Sequence, residues 1–208
     1  VTEVSSGIVM IVFNMIILGL AGNTGVAAYG VIANLSLVVI SIYTGISQGI
    51  QPLMSSYYGS GNRKNISSTL RYAMCAVVLV SALIYLAIFF GADTIASVFN
   101  SEQNQALQSI AKTGLRIYFT GCVFAGFNIV LSVYFTSTDN PLPAHIISLL
   151  RGFIFIIPMA FLLSALGELL GVWAAFPVTE FLVCLTGLGL FLKQSGARHR
   201  SGSFQDRL

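Results

Sequence analysis

The sequence predicts an all-α membrane protein with about six transmembrane helices. Hydrophobic residues occupy 56% of the 208 positions and charged residues only 8%, with a mean hydropathy of +0.87. In a water-soluble domain about 25% of the residues are charged. No charged residue occurs between Glu3 and Arg63, and at ~20 residues per crossing that stretch is long enough for two crossings and a turn. These observations exclude a water-soluble enzyme.

Apolar runs separated by clusters of Gly, Pro and Asn define the individual helices. The runs are apolar all round, whereas a transmembrane strand would alternate in polarity over ~9–11 residues. Helices are predicted at Ser5–Ala21, Val26–Tyr57, Arg71–Phe90, Leu115–Phe135, Ala144–Leu166 and Val172–Leu192. A longer mixed segment, Asp93–Gly114, lies between the third and the fourth. Residues 1–192 are therefore expected to form one helical lobe, and residues 193–208 a basic tail.

The positions of Lys and Arg predict the orientation, because short basic loops stay on the cytoplasmic side of the membrane. With six crossings, the N-terminus, the second and fourth loops and the tail share one side. That side carries Arg63, Lys64, Arg71, Lys193, Arg198, Arg200 and Arg207. We therefore expect the N-terminus and the tail to be cytoplasmic. Because the chain opens without Met and almost directly inside a helix, we also expect it to be part of a longer protein.

A row of uncharged polar residues follows the second predicted helix at helical spacing. Its members, separated by seven, three, four and three positions, are Asn34, Ser41, Thr44, Gln48 and Gln51. This spacing puts them on one face. Such residues can simply hydrogen-bond neighbouring helices, and each bond then stabilises the packing by ~0.6–2 kcal/mol. Five aligned groups, however, favour a face that lines a polar pathway.

The first and fourth predicted helices also carry polar residues on one face. They are Glu3 and Asn14 on the first, and Tyr118, Asn128 and Ser132 on the fourth. Polar side chains at membrane depth usually face the interior of a bundle or a water-filled cavity. We therefore predict that Asn14, Tyr118, Asn128 and Ser132 join the row on the second helix in lining a substrate pathway.

Arg151 and Glu180 are the charges that the predicted topology places deepest in the membrane. Each lies ~12 Å from one face, at 1.5 Å per residue, and the two can approach across adjacent helices. Together with Glu3 they are the candidate groups for ion coupling. The alternatives are a purely structural ion pair and an arginine whose head reaches the interface.

No metal, cofactor or catalytic motif is found in the sequence. A phosphate-binding loop with its Lys, a His-Glu-x-x-His pair, a nucleophile elbow and a Cys-x-x-Cys are all missing, which argues against ATP-driven or hydrolytic chemistry within this segment. The three cysteines lie in apolar runs, where they are expected to be reduced packing residues.

Three stretches resemble one known family. They are Gly45–Ser67 (GISQGIQPLMSSYYGSGNRKNIS), Phe127–Pro158 (FNIVLSVYFTSTDNPLPAHIISLLRGFIFIIP) and Leu166–Leu182 (LGELLGVWAAFPVTEFL). Together they resemble the C-terminal six-helix half of the multidrug and toxic compound extrusion (MATE) family. The most specific piece is the Gly-Ile-Gln-Pro segment followed by Tyr58-Gly59 and a basic turn.

The resemblance implies a secondary active transporter rather than an enzyme, in a bacterial inner membrane. Such a protein expels lipophilic, often cationic drugs or toxins in exchange for Na⁺ or H⁺, with no cofactor and no nucleic-acid partner. This chain would supply one lobe of a two-lobe MATE-type transporter, and its partner would be the N-terminal six-helix half, which is absent here. Gly7 and Asn128 stand where some members carry acidic residues.

The alternative function is a lipid-linked oligosaccharide or polysaccharide flippase of related architecture. A flippase that handles pyrophosphate groups would need several inward-facing Arg or Lys residues. This segment offers Arg151 alone.

Overall fold

The computed structural model describes residues 2–205, with side chains described for residues 7–194. Six α-helices follow one another: α1 (Thr2–Gly59), α2 (Arg63–Val98), α3 (Gln105–Tyr118), α4 (Cys122–Ser137), α5 (Pro141–Leu149) and α6 (Ile156–Gln205). A 3₁₀ turn, Phe119–Gly121, joins α3 to α4, and a π-helical turn, Leu150–Ile154, lies between α5 and α6. No strand occurs among residues 2–205. The predicted all-α class is therefore confirmed.

Four helical stretches of the described chain are long and apolar enough to cross a membrane. They are Gly7–Gly59, Arg63–Val98, Gln105–Ser137 and Pro141–Gln194. The first and the last have 53 and 54 residues. A straight helix of that length would measure ~80 Å, against a hydrocarbon core of ~30 Å.

The first stretch folds back on itself at Gly22. The rings of Phe13 and Tyr29 stack with their centroids 5.6 Å apart, whereas sixteen residues of straight helix would separate them by ~24 Å. Gly22 has φ 61° and ψ −159°, a conformation that essentially only glycine adopts without strain. Residues 2–21 form the first arm of α1 and residues 23–59 the second arm.

The last stretch bends in the same way at Gly167 and Glu168. Glu168 has φ 48° and ψ −130°, an unfavourable region for a residue with a side chain. A Cβ added to Gly171 would overlap the backbone carbonyl of Leu163, a residue that a straight helix would place ~12 Å away. Residues 156–166 and 169–205 are therefore the two arms of α6.

Several predicted boundaries were wrong, the start of α2 by eight residues. α2 begins at Arg63 rather than Arg71, because Asn62 caps it by accepting a 3.1 Å hydrogen bond from the backbone N–H of Asn65. Asn104 likewise caps α3, so most of the mixed segment Asp93–Gly114 is helical. The predicted helix Ala144–Leu166 is interrupted by the π-helical turn.

The core of the lobe forms where α1, α2 and α4 meet. The hydroxyls of Tyr43 on α1 and Ser81 on α2 are hydrogen-bonded at 2.7 Å. On α4, Gly126 lets the backbone approach both helices, since a Cβ there would lie 2.6 Å from the Val77 side chain and 3.0 Å from the Tyr43 ring. Close packing through small residues is the usual way in which membrane helices associate.

Substitutions at the two bends should have opposite effects on stability. Glu168→Gly should raise the free energy of unfolding of the full-length protein by ~1 kcal/mol or more, because it removes backbone strain. Gly22→Ala should lower the stability by a similar amount. The measurement is the thermal unfolding midpoint of the purified protein.

Gly19→Ala is the matched control for both bends. Gly19 lies inside the first arm, with nothing within 4 Å of an added Cβ, so this variant should be neutral or slightly stabilising. An unchanged or lower midpoint for Glu168→Gly would contradict the strain at that position.

Candidate functional site

The predicted polar row on the second arm of α1 lies on the outside of the lobe. Asn34, Ser41, Gln48 and Gln51 are exposed and Thr44 is half-buried. Three of these side chains hydrogen-bond carbonyls of their own helix, namely Asn34 to Gly30 (2.9 Å), Ser41 to Leu37 (2.8 Å) and Thr44 to Ile40 (2.9 Å). We call these five residues the outer stripe. The amides of Gln48 and Gln51 are exposed at the surface of the lobe.

The polar residues predicted on the fourth helix point the other way, into the lobe. Tyr118 and Asn128 are buried, and Ser132 is half-buried with its hydroxyl bonded to the carbonyl of Asn128 at 2.8 Å. Asn14 is half-buried on the first arm. The hypothesis of one wall shared by the first, second and fourth helices is therefore corrected, because the structure separates an outer stripe from an inner group.

The two deep charges, Arg151 and Glu180, contact each other inside the lobe. Nε and Nη2 of Arg151 both donate to Oε1 of Glu180, at 3.1 and 2.7 Å. The amide nitrogen of Asn128 donates to Oε2 at 2.7 Å and to the Glu180 carbonyl at 3.0 Å. Both oxygens of the Glu180 carboxylate are thus bound, which is the condition for keeping a charge in a buried place.

The Asn128 amide is held by its nitrogen alone. Its Oδ1 is buried and has no hydrogen-bond partner within the described part of the chain. A buried acceptor without a partner typically lowers the free energy of unfolding by ~1–3 kcal/mol. The two bonds from the nitrogen to Glu180 fix the orientation of the amide. Asn128 therefore acts as a positioning residue for the Glu180 carboxylate.

The π-helical turn sets the position of Arg151, which lies within it. Pro158 has no N–H to give to the carbonyl of Ile154, and its ring crowds that carbonyl. Just before it the helix takes up an extra residue, with the N–H of Phe155 bonded to the carbonyl of Leu150 at 2.9 Å. π-helical turns of this kind are frequent at functional sites.

The ion pair lies on the wall of a cavity of about 240 Å³ inside the lobe. We call it the intralobe cavity. Its aromatic residues are Phe13, Tyr29, Tyr118 and Phe176, its hydroxyl residues include Ser36 and Ser148, and its charged residues are Arg151 and Glu180. It is lined by both arms of α1, by α3, α5 and the π-helical turn, and by both arms of α6.

Four residues that line the intralobe cavity were not predicted from the sequence, namely Phe13, Tyr29, Ser36 and Phe176. Tyr29, Ser36 and Tyr43 recur every seven residues and are all buried, so this spacing marks the inner face of the second arm. That signal was available in the sequence. Phe13 and Phe176 could not have been separated from ordinary core residues.

Other parts of the lobe contain fewer groups that could bind a ligand or a metal ion. Between α2 and α3 an open polar pocket contains Asp93, which accepts a hydrogen bond from Gln108 at 3.1 Å and pairs with Lys112 at 3.3 Å. The three cysteines are free, and no three His, Cys, Asp or Glu side chains of the described residues come together. The side chain of Glu3, a predicted coupling group, lies outside the described residues.

The geometry predicts strong coupling between Arg151 and Glu180. Arg151→Gln or Glu180→Gln alone should destabilise the full-length protein by ~3–5 kcal/mol, because each leaves a buried charge without its partner. The double variant R151Q/E180Q should recover most of that loss. Thermal unfolding and membrane abundance measure the cycle, and strictly additive losses would show that the two residues do not act as a pair.

Curated proteins from two bacteria are similar in sequence to most of this chain. The "Multidrug export protein MepA" of Staphylococcus aureus is 24% identical over 167 residues, which cover 80% of this chain and 36% of that protein. An "FAD transporter" of Shewanella oneidensis is 23% identical over 163 residues, which cover 77% of this chain and 35% of that protein. The chain thus spans little more than a third of the length of these curated relatives.

Solved structures share the fold. The inward-facing conformation of a multidrug resistance MATE family transporter of the MOP superfamily superposes with a TM-score of 0.89, at 18% identity, over 96% of this chain and 46% of that one. An outward-facing structure with the same description gives 0.87 over 96% and 45%. The MatE family model matches residues 1–162. Because that match covers more than half of the chain, and the helical lobe agrees with it, the chain belongs to the MatE family.

Proposed function

We propose that this chain is one lobe of a membrane transporter that exports lipophilic, often cationic compounds in exchange for Na⁺ or H⁺. The observation that carries the proposal is the outer stripe. Polar side chains on a membrane-spanning helix are costly where they meet lipid, yet these residues face away from the core of the lobe. They are best accommodated against a water-filled path shared with a second lobe.

The length of the relatives supports a second lobe. This chain covers 35–36% of two curated transporters and 45–46% of two solved ones. The partner in the proposal is an N-terminal six-helix half, and the path lies between the halves. The outer stripe then forms part of the wall of that path.

The neutral chemistry of the outer stripe suits varied substrates. Amide and hydroxyl groups carry no fixed charge, so they hold no single ligand strongly. Aromatic faces near such a path attract cations by ~0.5–2 kcal/mol. This combination favours breadth over tight binding, as export of many compounds requires.

The bends at Gly22 and Glu168 support six membrane crossings. Each divides a stretch of more than 50 residues into two arms, so the four apolar stretches provide six segments of bilayer length. With six crossings, the N-terminus, Ser60 and the tail lie on one side, and we assign that side to the cytoplasm because its loops are basic.

A flippase function finds less support. Arg151 is the only basic residue among those that line the intralobe cavity, and one edge of its guanidinium is already bonded to Glu180. Several unpaired basic residues would be needed to hold a pyrophosphate group.

Thiol labelling of single-cysteine variants tests the orientation. Ser60 and Gln103 are exposed at opposite ends of α2, a helix ~54 Å long. In intact cells Gln103→Cys should react with an impermeant reagent and Ser60→Cys should not. Both should react in permeabilised cells, and the reverse pattern in intact cells would overturn the topology.

Dye efflux from cells that express the full-length protein tests the transport mechanism. Export of a lipophilic cationic dye should stop when both the Na⁺ and the H⁺ gradients are collapsed. Gln51→Ala should change the relative resistance to a panel of such compounds by several-fold without lowering protein abundance, because it alters the outer stripe.

Leu53→Ala is the control for the outer stripe, since Leu53 is also exposed on the same arm but lies off the stripe. It should leave the resistance profile unchanged. Efflux that survives the loss of both gradients would refute antiport. Equal effects of Gln51→Ala and Leu53→Ala would refute the role of the outer stripe.

A further inference from the structure

The intralobe cavity has the size and the walls of a small binding site. At about 240 Å³ it exceeds the ~150 Å³ cavity that accommodates benzene in an engineered protein. It therefore has room for a planar group of one or two rings. Residues from several helices line it, so its shape depends on the folded lobe.

Aromatic pairs line this cavity. Tyr118 and Phe176 stack with their centroids 4.3 Å apart and an interplanar angle of 6°. Phe13 and Tyr29 stack at 5.6 Å and 21°. Such rings offer flat apolar surfaces with a hydroxyl at the edge, which suit a planar aromatic ligand.

The charged end of the cavity presents Arg151 rather than Glu180. The side chain of Arg151 is 21% exposed, whereas that of Glu180 is 4% exposed. Both oxygens of Glu180 are already bound, one by Arg151 and the other by Asn128. Both residues line the cavity, and Arg151 is the more accessible of the two.

The guanidinium keeps one edge for a ligand. Its Nε–Nη2 edge faces Oε1 of Glu180. Among the described residues, the hydrogen bonds of the Arg151 guanidinium come from Nε and Nη2, which leaves Nη1 and the second N–H of Nη2 as donors on the Nη1–Nη2 edge. That edge has the spacing of the two oxygens of a carboxylate, which arginine binds through two parallel hydrogen bonds.

We propose that the intralobe cavity binds a planar aromatic carboxylate. The ring lies against the aromatic walls, and the carboxylate accepts two hydrogen bonds from the open edge of Arg151. A permanent cation of the same shape is disfavoured, because it would approach the guanidinium. As a substrate subsite the cavity depends on the proposed export function, whereas as a binding site it does not.

Binding to the full-length protein in nanodiscs tests the cavity, with empty nanodiscs as the blank. The probes are 2-naphthoate, neutral 2-naphthamide and cationic trimethyl(2-naphthyl)ammonium, measured by isothermal titration calorimetry. Wild-type protein should bind 2-naphthoate about tenfold or more tightly than the cation, as expected for charge-assisted hydrogen bonds. Equal or tighter binding of the cation would overturn the proposal.

Substitutions at the ion pair should change this preference in a defined order. R151Q/E180Q carries no charge and should bind 2-naphthoate and 2-naphthamide equally. Arg151→Gln alone leaves the Glu180 carboxylate and should reverse the preference towards the cation. Arg151→Lys keeps the charge without the two-donor edge, so it should weaken the preference without removing it.

Arg63→Gln is the matched control, since Arg63 is exposed at the start of α2 and does not line the cavity. It should behave like wild type. A preference for 2-naphthoate that persists in R151Q/E180Q would refute the role of Arg151. If the substituted proteins do not fold, the comparison of the three probes on wild-type protein still decides the proposal.

These outcomes are separable from those for transport. Gradient-dependent dye efflux without 2-naphthoate binding would leave the export function standing and remove this inference. Selective 2-naphthoate binding with no gradient-dependent efflux would support this inference and refute the export function.

Discussion

The carboxylate of Glu180 is the point at which the inner part of this lobe is joined. It accepts hydrogen bonds from Arg151 on one oxygen and from Asn128 on the other, so it connects the π-helical turn, α4 and the second arm of α6. A charge buried among membrane helices is tolerated only when its partners are in place. The orientation of the Arg151 guanidinium and that of the Asn128 amide both depend on this contact.

The lobe has two polar surfaces with different chemistry, one on each side of the second arm of α1. The outer stripe is neutral and exposed, and several of its side chains are satisfied by their own helix. The inner surface includes Tyr29 and Ser36 and leads to the ion pair. The second arm of α1 therefore presents one polar face to the outside of the lobe and another to the cavity within it.

Sequence reasoning predicted the helical class and the spacing of the outer stripe, because both follow from local patterns. Only helices and closed barrels satisfy the backbone in lipid, and runs that are apolar all round lack the alternating polarity of a barrel strand. Residues at steps of three, four and seven share a face of a helix. It placed the start of α2 eight residues too late, because the capping role of Asn62 was not recognised. It also assigned Asn128 and Tyr118 to the same wall as the outer stripe, since periodicity gives the face within one helix but not the direction of that face relative to other helices.

The sequence by itself determined that the chain is a helical membrane protein and which residues share a face, and it predicted that Arg151 and Glu180 are the charges deepest in the membrane. Only the tertiary structure decided that the two charges are bonded, that Asn128 holds the carboxylate, and that the arginine is the more exposed of the pair. The physical reason is that helix formation and burial in lipid depend on hydrogen bonds and apolar surface within short segments. The contacts between Arg151, Asn128 and Glu180 join residues 29 and 52 positions apart, and they depend on how the arms pack around the bends at Gly22 and Glu168.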